Sequence, residues 1–433
     1  MNKPLCVISC PLETQSGYGA RSRDIIKAFL KYDKYEVILI SQRWGNTAWN
    51  ALNPDKTEDK ALLDLIWKQP QLPKQPDVWI QITVPNEFQP VGKYNIGITA
   101  GIETTICDPS WLEGINRMNL TLVSSKHAKT VFESSSFEKR NNQTNQVEGV
   151  IKLEKPVEVL FEGVDLNVYD FIPDEELEET ELVLSLDSIK EDFCYLYVGH
   201  WLQGDIGEDR KNTGYTIKAF LETFKNKKNQ PALILKTCQV TNSILDREEI
   251  LKKIDEVRKT VKGDLPNIYL LHGDLEDKDI NDLYNHGKVK AMVSLTKGEG
   301  FGRPLLEFSL VKKPIIASYW SGQVDFLNHE FILPIIGELT PVHPSAQAKN
   351  MILAESQWFK PNDVSVAEAF LSVFNNYTKY EELAKRQSYY SKTTFSFDKM
   401  AELLDNICET KIPKQVALVL PKLSKLPKLR KIN

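Results

Sequence analysis

A glycine-rich segment with an acidic residue at each end is the part of the sequence best suited to chemistry. It reads Thr296-Lys-Gly-Glu-Gly-Phe-Gly-Arg-Pro-Leu-Leu-Glu307 and includes the glycines Gly298, Gly300 and Gly302. An apolar run ends at Thr296, and Pro304 stands where a helix begins, because proline suits the first helical position. A loop of free backbone amides that leads into a helix N-terminus is an anion site.

Two glutamates make this segment more specific than an isolated glycine-rich loop. Glu299 lies on the loop itself. Glu307 falls in the first turn of the expected helix, where its carboxylate either caps the helix or accepts hydrogen bonds from the two hydroxyls of a ribose. The pair therefore predicts binding of an anion that also offers hydroxyl groups.

Two further segments have residue types that suit phosphate binding. Arg210 and Lys211 follow an apolar run, and they either neutralise an anion or form an exposed basic turn. Ser16-Gly-Tyr-Gly19 lies between the first expected strand and helix, as a phosphate loop or as a simple turn. Arg21 and Arg23 follow closely and either bind an anion or face solvent.

Parallel sheets must position these segments, because short apolar runs alternate with amphipathic helical patterns along most of the chain. Helices are expected at 20–32, 215–224 and 248–261. Two series of strands are expected, at 5–9, 36–41, 78–84, 95–100 and 120–124, and at 193–199, 232–237, 267–272, 291–296 and 314–318. The fold class is therefore α/β, with two doubly wound parallel-sheet domains facing a cleft, and ligands bind at the carboxyl ends of such strands.

The composition excludes several classes of protein. The 433 residues are 42% hydrophobic and 26% charged, and the net charge of −5 provides no overall positive field for nucleic acid. The six cysteines form no C-x-x-C pair and no two histidines have zinc spacing, so neither a disulfide framework nor a metal site is expected. No apolar run reaches membrane-spanning length and no signal peptide is recognisable, which predicts a cytoplasmic protein.

The segment that ends at Glu307 resembles the E-x7-E motif of retaining glycosyltransferases of the GT-B fold, in particular glycosyltransferase family 4. The end of that family's first domain is similar to Glu162-Gly-Val-Asp165. The start of its second domain is similar to two segments of this chain, Tyr197-Val-Gly-His-Trp201 and Asp209-Arg-Lys-Asn212. The resemblance covers residues 1 to about 410. It implies two facing Rossmann-like domains, a nucleotide-sugar donor, and metal-independent transfer to an acceptor hydroxyl with no cofactor.

The resemblance implies roles for individual residues. Glu299 would lie beside the donor sugar, and Glu307 would bind the nucleotide ribose. Arg210 and Lys211 would neutralise the diphosphate, while Glu103 would orient the acceptor hydroxyl where many family members have a histidine. As an alternative, Glu103 caps the turn that follows it. The other donor-binding candidates are Gly17, Tyr18, Gly19, Gly300, Phe301, Gly302 and Arg303.

The domain organisation follows the same resemblance. An N-terminal acceptor-side domain is expected at 1–180 and a C-terminal donor domain at 181–395, with a helix at 396–410 that crosses back to the first domain. The tail at 411–433 has seven Lys and Arg and no Asp or Glu, so the remaining 47 basic and 59 acidic residues give the body −12. This tail either packs along the domain or contacts an anionic surface of lipid, nucleic acid or protein.

Other functions remain open. A nicotinamide-dependent oxidoreductase needs G-x-G-x-x-G, but Ser22 occupies the third glycine position. A non-catalytic nucleotide-sugar-binding protein is possible if the missing acceptor-side histidine marks lost activity. Residues 16–24 and 41–45 resemble glycosyltransferases of large tailed bacteriophages, which implies a DNA-modifying enzyme for hydroxymethylated bases as an alternative. The acceptor is thus a glycan, a lipid, a protein or modified DNA.

Overall fold

The computed structural model describes residues 3–141, 143–239 and 242–413, with sixteen strands and twelve α-helices among them. The predicted basic tail falls almost wholly outside these residues. The strands are β1 (Leu5–Cys10), β2 (Glu36–Ser41), β3 (Val78–Ile82), β4 (Tyr94–Thr99), β5 (Leu120–Val123), β6 (Ser136–Arg140), β7 (Val147–Lys152), β8 (Val157–Val159), β9 (Cys194–Val198), β10 (Ala232–Lys236), β11 (Ile268–Leu271), β12 (Val289–Ser294), β13 (Ile315–Ser318), β14 (Leu333–Ile335), β15 (Gly337–Pro341) and β16 (Gln357–Pro361). The helices are α1 (Gly17–Tyr32), α2 (Thr57–Leu63), α3 (Pro109–Arg117), α4 (Lys126–Ser134), α5 (Glu181–Asp187), α6 (Thr213–Phe224), α7 (Ile244–Lys259), α8 (Asp277–Asn285), α9 (Arg303–Ser309), α10 (Asp363–Asn375), α11 (Tyr377–Thr394) and α12 (Phe397–Lys411).

Two six-stranded parallel sheets form the framework. The first has the order β2-β1-β3-β4-β5-β8 and the second the order β11-β10-β9-β12-β13-β14. Apolar side chains fill both faces of these strands, as in β1, where all six residues are buried. The strand order reverses between β1 and β3 and between β9 and β12. These two switch points are where open α/β sheets bind ligands.

The C-terminal helix α12 packs on the first sheet domain rather than on the second. Met400, Leu404 and Ile407 belong to the same buried cluster as Ile8 of β1. Backbone hydrogen bonds from Phe397 N–H to Val164 O and from Val164 N–H to Phe395 O hold the point at which the chain crosses between the domains. The two domains are therefore joined by two chain segments, and the ends of β4 and β12 lie against each other where the domains meet.

Six strands lie outside the expected series: β8 and β14 at the edges of the two large sheets, and the strands of two antiparallel hairpins. β6 pairs with β7, and β15 pairs with β16. The segment between the two sheets contains α5. Thr180 caps the N-terminus of this helix, because its Oγ1 accepts a hydrogen bond from Val183 N–H. No helix in the described part of the chain is long and apolar enough to cross a bilayer.

Candidate functional site in the interdomain cleft

The candidate residues gather at the switch point of the second sheet. Arg210 and Lys211 lie on the loop after β9, and Glu299 lies on the loop after β12. β12 ends at Ser294, two residues before the expected end at Thr296, and Thr296 Oγ1 accepts a hydrogen bond from Gly298 N–H within the loop. The loops of two neighbouring strands thus meet at one edge of the sheet.

Each of the three glycines in the loop after β12 occupies a position where a side chain would be unfavourable, for a reason that differs between them. Gly302 has a φ of 101°, a left-handed conformation that favours glycine. A Cβ on Gly298 would lie 1.9 Å from Glu103 O, and one on Gly300 would lie 2.7 Å from Ala100 O. Because Ala100 and Glu103 belong to the first domain, Gly298 and Gly300 allow the two domains to close on each other.

Glu299 is held by two cations and lies close to a second acid. Lys211 Nζ lies 2.6 Å from Glu299 Oε1, and Arg210 NH1 lies 3.3 Å from Glu299 Oε2 and 2.7 Å from Gly298 O. Arg210 NH2 is also 3.7 Å from Glu103 Oε1, across the cleft. Arg210 is therefore not an exposed basic turn: it links the loop after β12 in the second domain to the segment after β4 in the first.

The electrostatics of this cluster favour its ionised form. Burial alone would raise the pKa of Glu299, which is 7% exposed, but Lys211 and Arg210 outweigh it and hold that pKa below its usual range. Burial alone would lower the pKa of Arg210, because it disfavours the charged form of the guanidinium. The neighbouring carboxylates of Glu103 and Glu299 outweigh burial and raise that pKa. The site thus combines two positively charged side chains with two carboxylates where the two domains meet.

Glu307 lies in a second ionic cluster that also spans the domains. Its Oε1 accepts a hydrogen bond from Arg303 Nε at 2.8 Å, and Arg303 NH1 lies 2.6 Å from Asp24 Oδ2 of α1. Tyr284 OH donates to Glu307 Oε2 at 3.5 Å. Burial is the largest influence and raises the pKa of Glu307 to about 7 despite Arg303.

The expected helix start needs a correction. α9 begins at Arg303, so Pro304 is its second residue and Glu307 its fifth. The first turn of α9 contains no acidic residue, and Glu307 therefore does not cap the helix. Phe301 is also buried, and the centre of its ring lies 4.9 Å from that of Phe326, so the ring packs in the core of the second domain.

The glycine loop of the first domain forms the start of α1. Ser16 Oγ caps the helix by accepting a hydrogen bond from Gly19 N–H at 2.9 Å. A Cβ on Gly19 would lie 2.2 Å from Thr14 O, whereas one on Gly17 would meet no atom within 4 Å. Gly19 thus shapes the turn, and Gly17 is the open position.

The neighbours of this loop have structural partners. Tyr18 OH hydrogen-bonds Thr99 Oγ1 at 2.9 Å and accepts from Ala100 N–H, which ties the loop to the end of β4. For Arg21 and Arg23, expected either to bind an anion or to face solvent, the structure shows Arg21 buried and Arg23 partly buried. They donate to backbone carbonyls, Arg21 to Phe161 O and Arg23 to Leu12 O.

The segment after β4 forms the side of the first domain that faces Arg210. Glu103 has a half-buried side chain that faces Arg210. His127, the nearest histidine in the sequence, packs edge-on against Trp320 at 4.8 Å, and burial lowers its pKa to about 4. A neutral, packed His127 fits a structural contact between the domains.

Two residues of the site were not among the predicted site residues. Asp24 pairs with Arg303 across 279 positions, and Trp320 enters from the loop after β13. Asp24 ends the segment 16–24 that resembles bacteriophage enzymes, but nothing in that segment predicts its ion pair, and Trp320 belongs to no local motif. No cluster of three or more His, Cys, Asp or Glu side chains that could hold a metal ion occurs within residues 3–141, 143–239 and 242–413.

No protein-family model and no curated protein matches the sequence. Solved structures match over almost the whole chain. The chain is similar to a glycosyltransferase from Rickettsia africae (TM-score 0.59, 14% identity, 95% of this chain and 99% of that chain). It is also similar to sucrose-phosphate synthase from Thermosynechococcus elongatus (TM-score 0.59, 11% identity, 94% of this chain and 99% of that chain). A third similar structure is Anabaena HepE in complex with UDP and glucose (TM-score 0.56, 11% identity, 94% of this chain and 100% of that chain).

These similarities, together with the two parallel sheets, define the fold. The chain has the GT-B fold of glycosyltransferases, with two Rossmann-like domains, which confirms the fold class predicted from the sequence.

Proposed function

We propose that this chain transfers a sugar from a nucleotide-sugar donor to an acceptor hydroxyl, with retention of configuration and without a metal ion. The observation that supports the proposal best is the placement of Arg210, Lys211 and Glu299 at one switch point, with Glu103 opposite them on the other domain. Solved complexes of Anabaena HepE contain UDP-glucose or UDP with glucose, so uridine diphosphate sugars are the first donors to test.

Arg210 and Lys211 would stabilise the leaving group. As the bond between sugar and phosphate breaks, negative charge grows on the departing phosphate oxygen. Fixed cations in a cleft that excludes water stabilise that charge more than bulk solvent does, and losing one such group typically costs about 3 kcal/mol of barrier. A guanidinium and an ammonium can therefore supply the positive charge that a metal ion provides in other transferases.

The carboxylates would bind rather than transfer protons. Glu299 is ionised and paired with two cations, so it suits hydrogen bonds from the hydroxyls of the donor sugar. Glu103 would orient the acceptor hydroxyl. In a retaining transfer on one face of the sugar, the departing phosphate takes the acceptor proton, and no carboxylate pair of the glycosidase type is needed.

A screen of sugar nucleotides tests this proposal. We expect one UDP-sugar to raise the melting temperature and to be hydrolysed slowly, with the liberated sugar keeping its anomeric configuration by NMR and with activity unchanged in EDTA. Binding without turnover at any acceptor would support the non-catalytic alternative. Inversion of configuration, or activity that EDTA abolishes, would contradict the mechanism.

The acceptor requires a separate experiment. Hydroxymethylated duplex DNA belongs in the acceptor panel because of the resemblance to bacteriophage enzymes, and binding measured against salt would reveal phosphate contacts through a steep slope. The matched comparison is the chain without residues 411–433. Equal duplex binding by both chains would exclude the basic tail as the contact.

A further inference from the structure

Ser321 has a backbone conformation that residues other than glycine rarely adopt. It lies between β13 and the short 3-10 helix Gly322–Asp325, with φ of 67° and ψ of −151°. That region is nearly restricted to glycine, and a side chain there is strained. Ser321 is only 3% exposed, so buried surroundings hold it in place.

The turn at Ser321 holds the backbone of Glu299 on both sides. Glu299 N–H donates to Ser321 Oγ at 2.9 Å, and Gly322 N–H donates to Glu299 O at 2.9 Å. A Cβ on Gly322 would lie 2.1 Å from Gly300 O, which shows how closely the turn approaches the loop after β12. Both polar groups of the Glu299 main chain are thus hydrogen-bonded by the turn that follows β13.

Glycine at position 321 would satisfy the backbone without strain. The feature that serine adds is its hydroxyl, which accepts the hydrogen bond from the Glu299 amide. Strain that persists at a ligand site points to a functional use, because a simple substitution would remove it.

We propose that Ser321 is a positioning residue that fixes the orientation of Glu299 towards the donor sugar. The inference rests on the proposed function. Lys211 and Arg210 hold the carboxylate, while Ser321 and Gly322 hold the peptide from which the side chain extends. Without the Ser321 hydroxyl, the Glu299 peptide can rotate, and its carboxylate meets the donor sugar in a wider range of orientations.

Three variants separate positioning from folding. Ser321→Gly removes the hydroxyl and the strain, Ser321→Ala removes the hydroxyl and keeps the strain, and Ser321→Thr keeps the hydroxyl with a bulkier side chain. We expect the Ser321→Gly variant to melt at or above the temperature of wild type, and the Ser321→Ala and Ser321→Thr variants to melt below it. We expect kcat to follow a different order. The Ser321→Thr variant should match wild type, while Ser321→Gly and Ser321→Ala should both be about tenfold slower, because each loses one hydrogen bond.

Nucleotide affinity provides the second readout. UDP lacks the sugar, so its affinity, measured by calorimetry, is expected to stay within about twofold of wild type in all three variants, while kcat on the UDP-sugar falls in Gly and Ala. A Gly variant as active as wild type, or activities that follow the melting temperatures, would overturn this inference alone. A wild-type chain that turns over no sugar nucleotide would instead overturn the proposed function, and the inference with it.

Discussion

The ammonium group of Lys211 lies 2.6 Å from Glu299 Oε1, although 88 positions separate the two residues in the chain. Lys211 follows β9 and Glu299 follows β12, and these strands are neighbours only because the sheet order reverses at that point. The contact therefore places a cation and an anion at the edge where a parallel sheet binds its ligand. A diphosphate entering there would meet Lys211 already oriented.

Replacing Lys211 should reduce turnover more than binding. We expect Lys211→Ala to lower kcat on the UDP-sugar by about 100-fold or more, because the charge on the leaving phosphate loses a fixed partner. Its matched control is Lys259→Ala. Lys259 lies on α7 with a side chain that is 73% exposed, so this variant should leave kcat unchanged. Steady-state kinetics of both variants decide the matter, and equal kcat values would remove Lys211 from the mechanism.

The glycines of the loop after β12 should control closure of the cleft. In Gly300→Ala the new methyl group would meet Ala100 of the other domain at 2.7 Å, and the three nearest atoms all belong to Ala100. We expect each domain to keep its fold while the molecule stays more open, with a larger radius of gyration by X-ray scattering and a lower kcat.

The control for closure is Gly149→Ala in the β6–β7 hairpin, where a Cβ meets nothing within 4 Å. It should change neither the radius of gyration nor kcat. A Gly300→Ala chain that scatters and reacts like wild type would mean that the closed arrangement is not required for catalysis.

Most of the framework could be predicted from the sequence because its strands are buried on both faces. β2 has the predicted bounds, and the other nine predicted strands start within two residues of the observed position. The hairpins were missed for the opposite reason. β6 and β15 are largely exposed, so their residues show no apolar run that would mark a strand.

The candidate site was predictable only where it is local in sequence. The E-x7-E spacing singled out Glu299 and Glu307, and their roles stay predictions. Their ionic partners depend on how strands and domains come together: Arg303 meets Asp24 across 279 positions. No local pattern encodes such a contact, and a motif cannot reveal that Glu307 sits in the second turn of α9 rather than the first.

The two glycines at the start of α1 should separate a functional position from a structural one. Gly19→Ala would place a methyl group 2.2 Å from Thr14 O, and we expect it to destabilise the protein by about 2 kcal/mol or more. Gly17→Ala meets no atom within 4 Å and should leave the unfolding free energy unchanged. If the phosphates of the donor approach this loop, the methyl group of Gly17→Ala lies in their way, and the variant binds the donor more weakly although its stability is unchanged. Denaturant unfolding and calorimetry on both variants test this, and undiminished donor affinity in Gly17→Ala would count against a phosphate contact there.

Removing the carboxylate of Glu307 should weaken nucleotide binding. We expect Glu307→Ala to lower UDP affinity by about tenfold or more, because hydroxyls of the ribose lose the carboxyl group that accepts their hydrogen bonds. Glu222→Ala on the exposed face of α6 serves as the control. Calorimetry that finds the same UDP affinity in Glu307→Ala as in wild type would refute the ribose contact.

Glu307 should also make stability depend on pH. Its pKa is raised by burial to about 7 from an ordinary 4.5, so the folded state binds a proton that the unfolded state has released. This contribution is complete below about pH 4.5 and is lost as the pH rises through about 7, with a total on the order of 3 kcal/mol at most. Glu307→Gln cannot titrate, so the free energy of unfolding of wild type should fall relative to that variant between about pH 5 and pH 8. Urea unfolding across this range measures the difference, and parallel pH profiles for the two proteins would show that Glu307 is already ionised at the lower pH, with Arg303 outweighing burial.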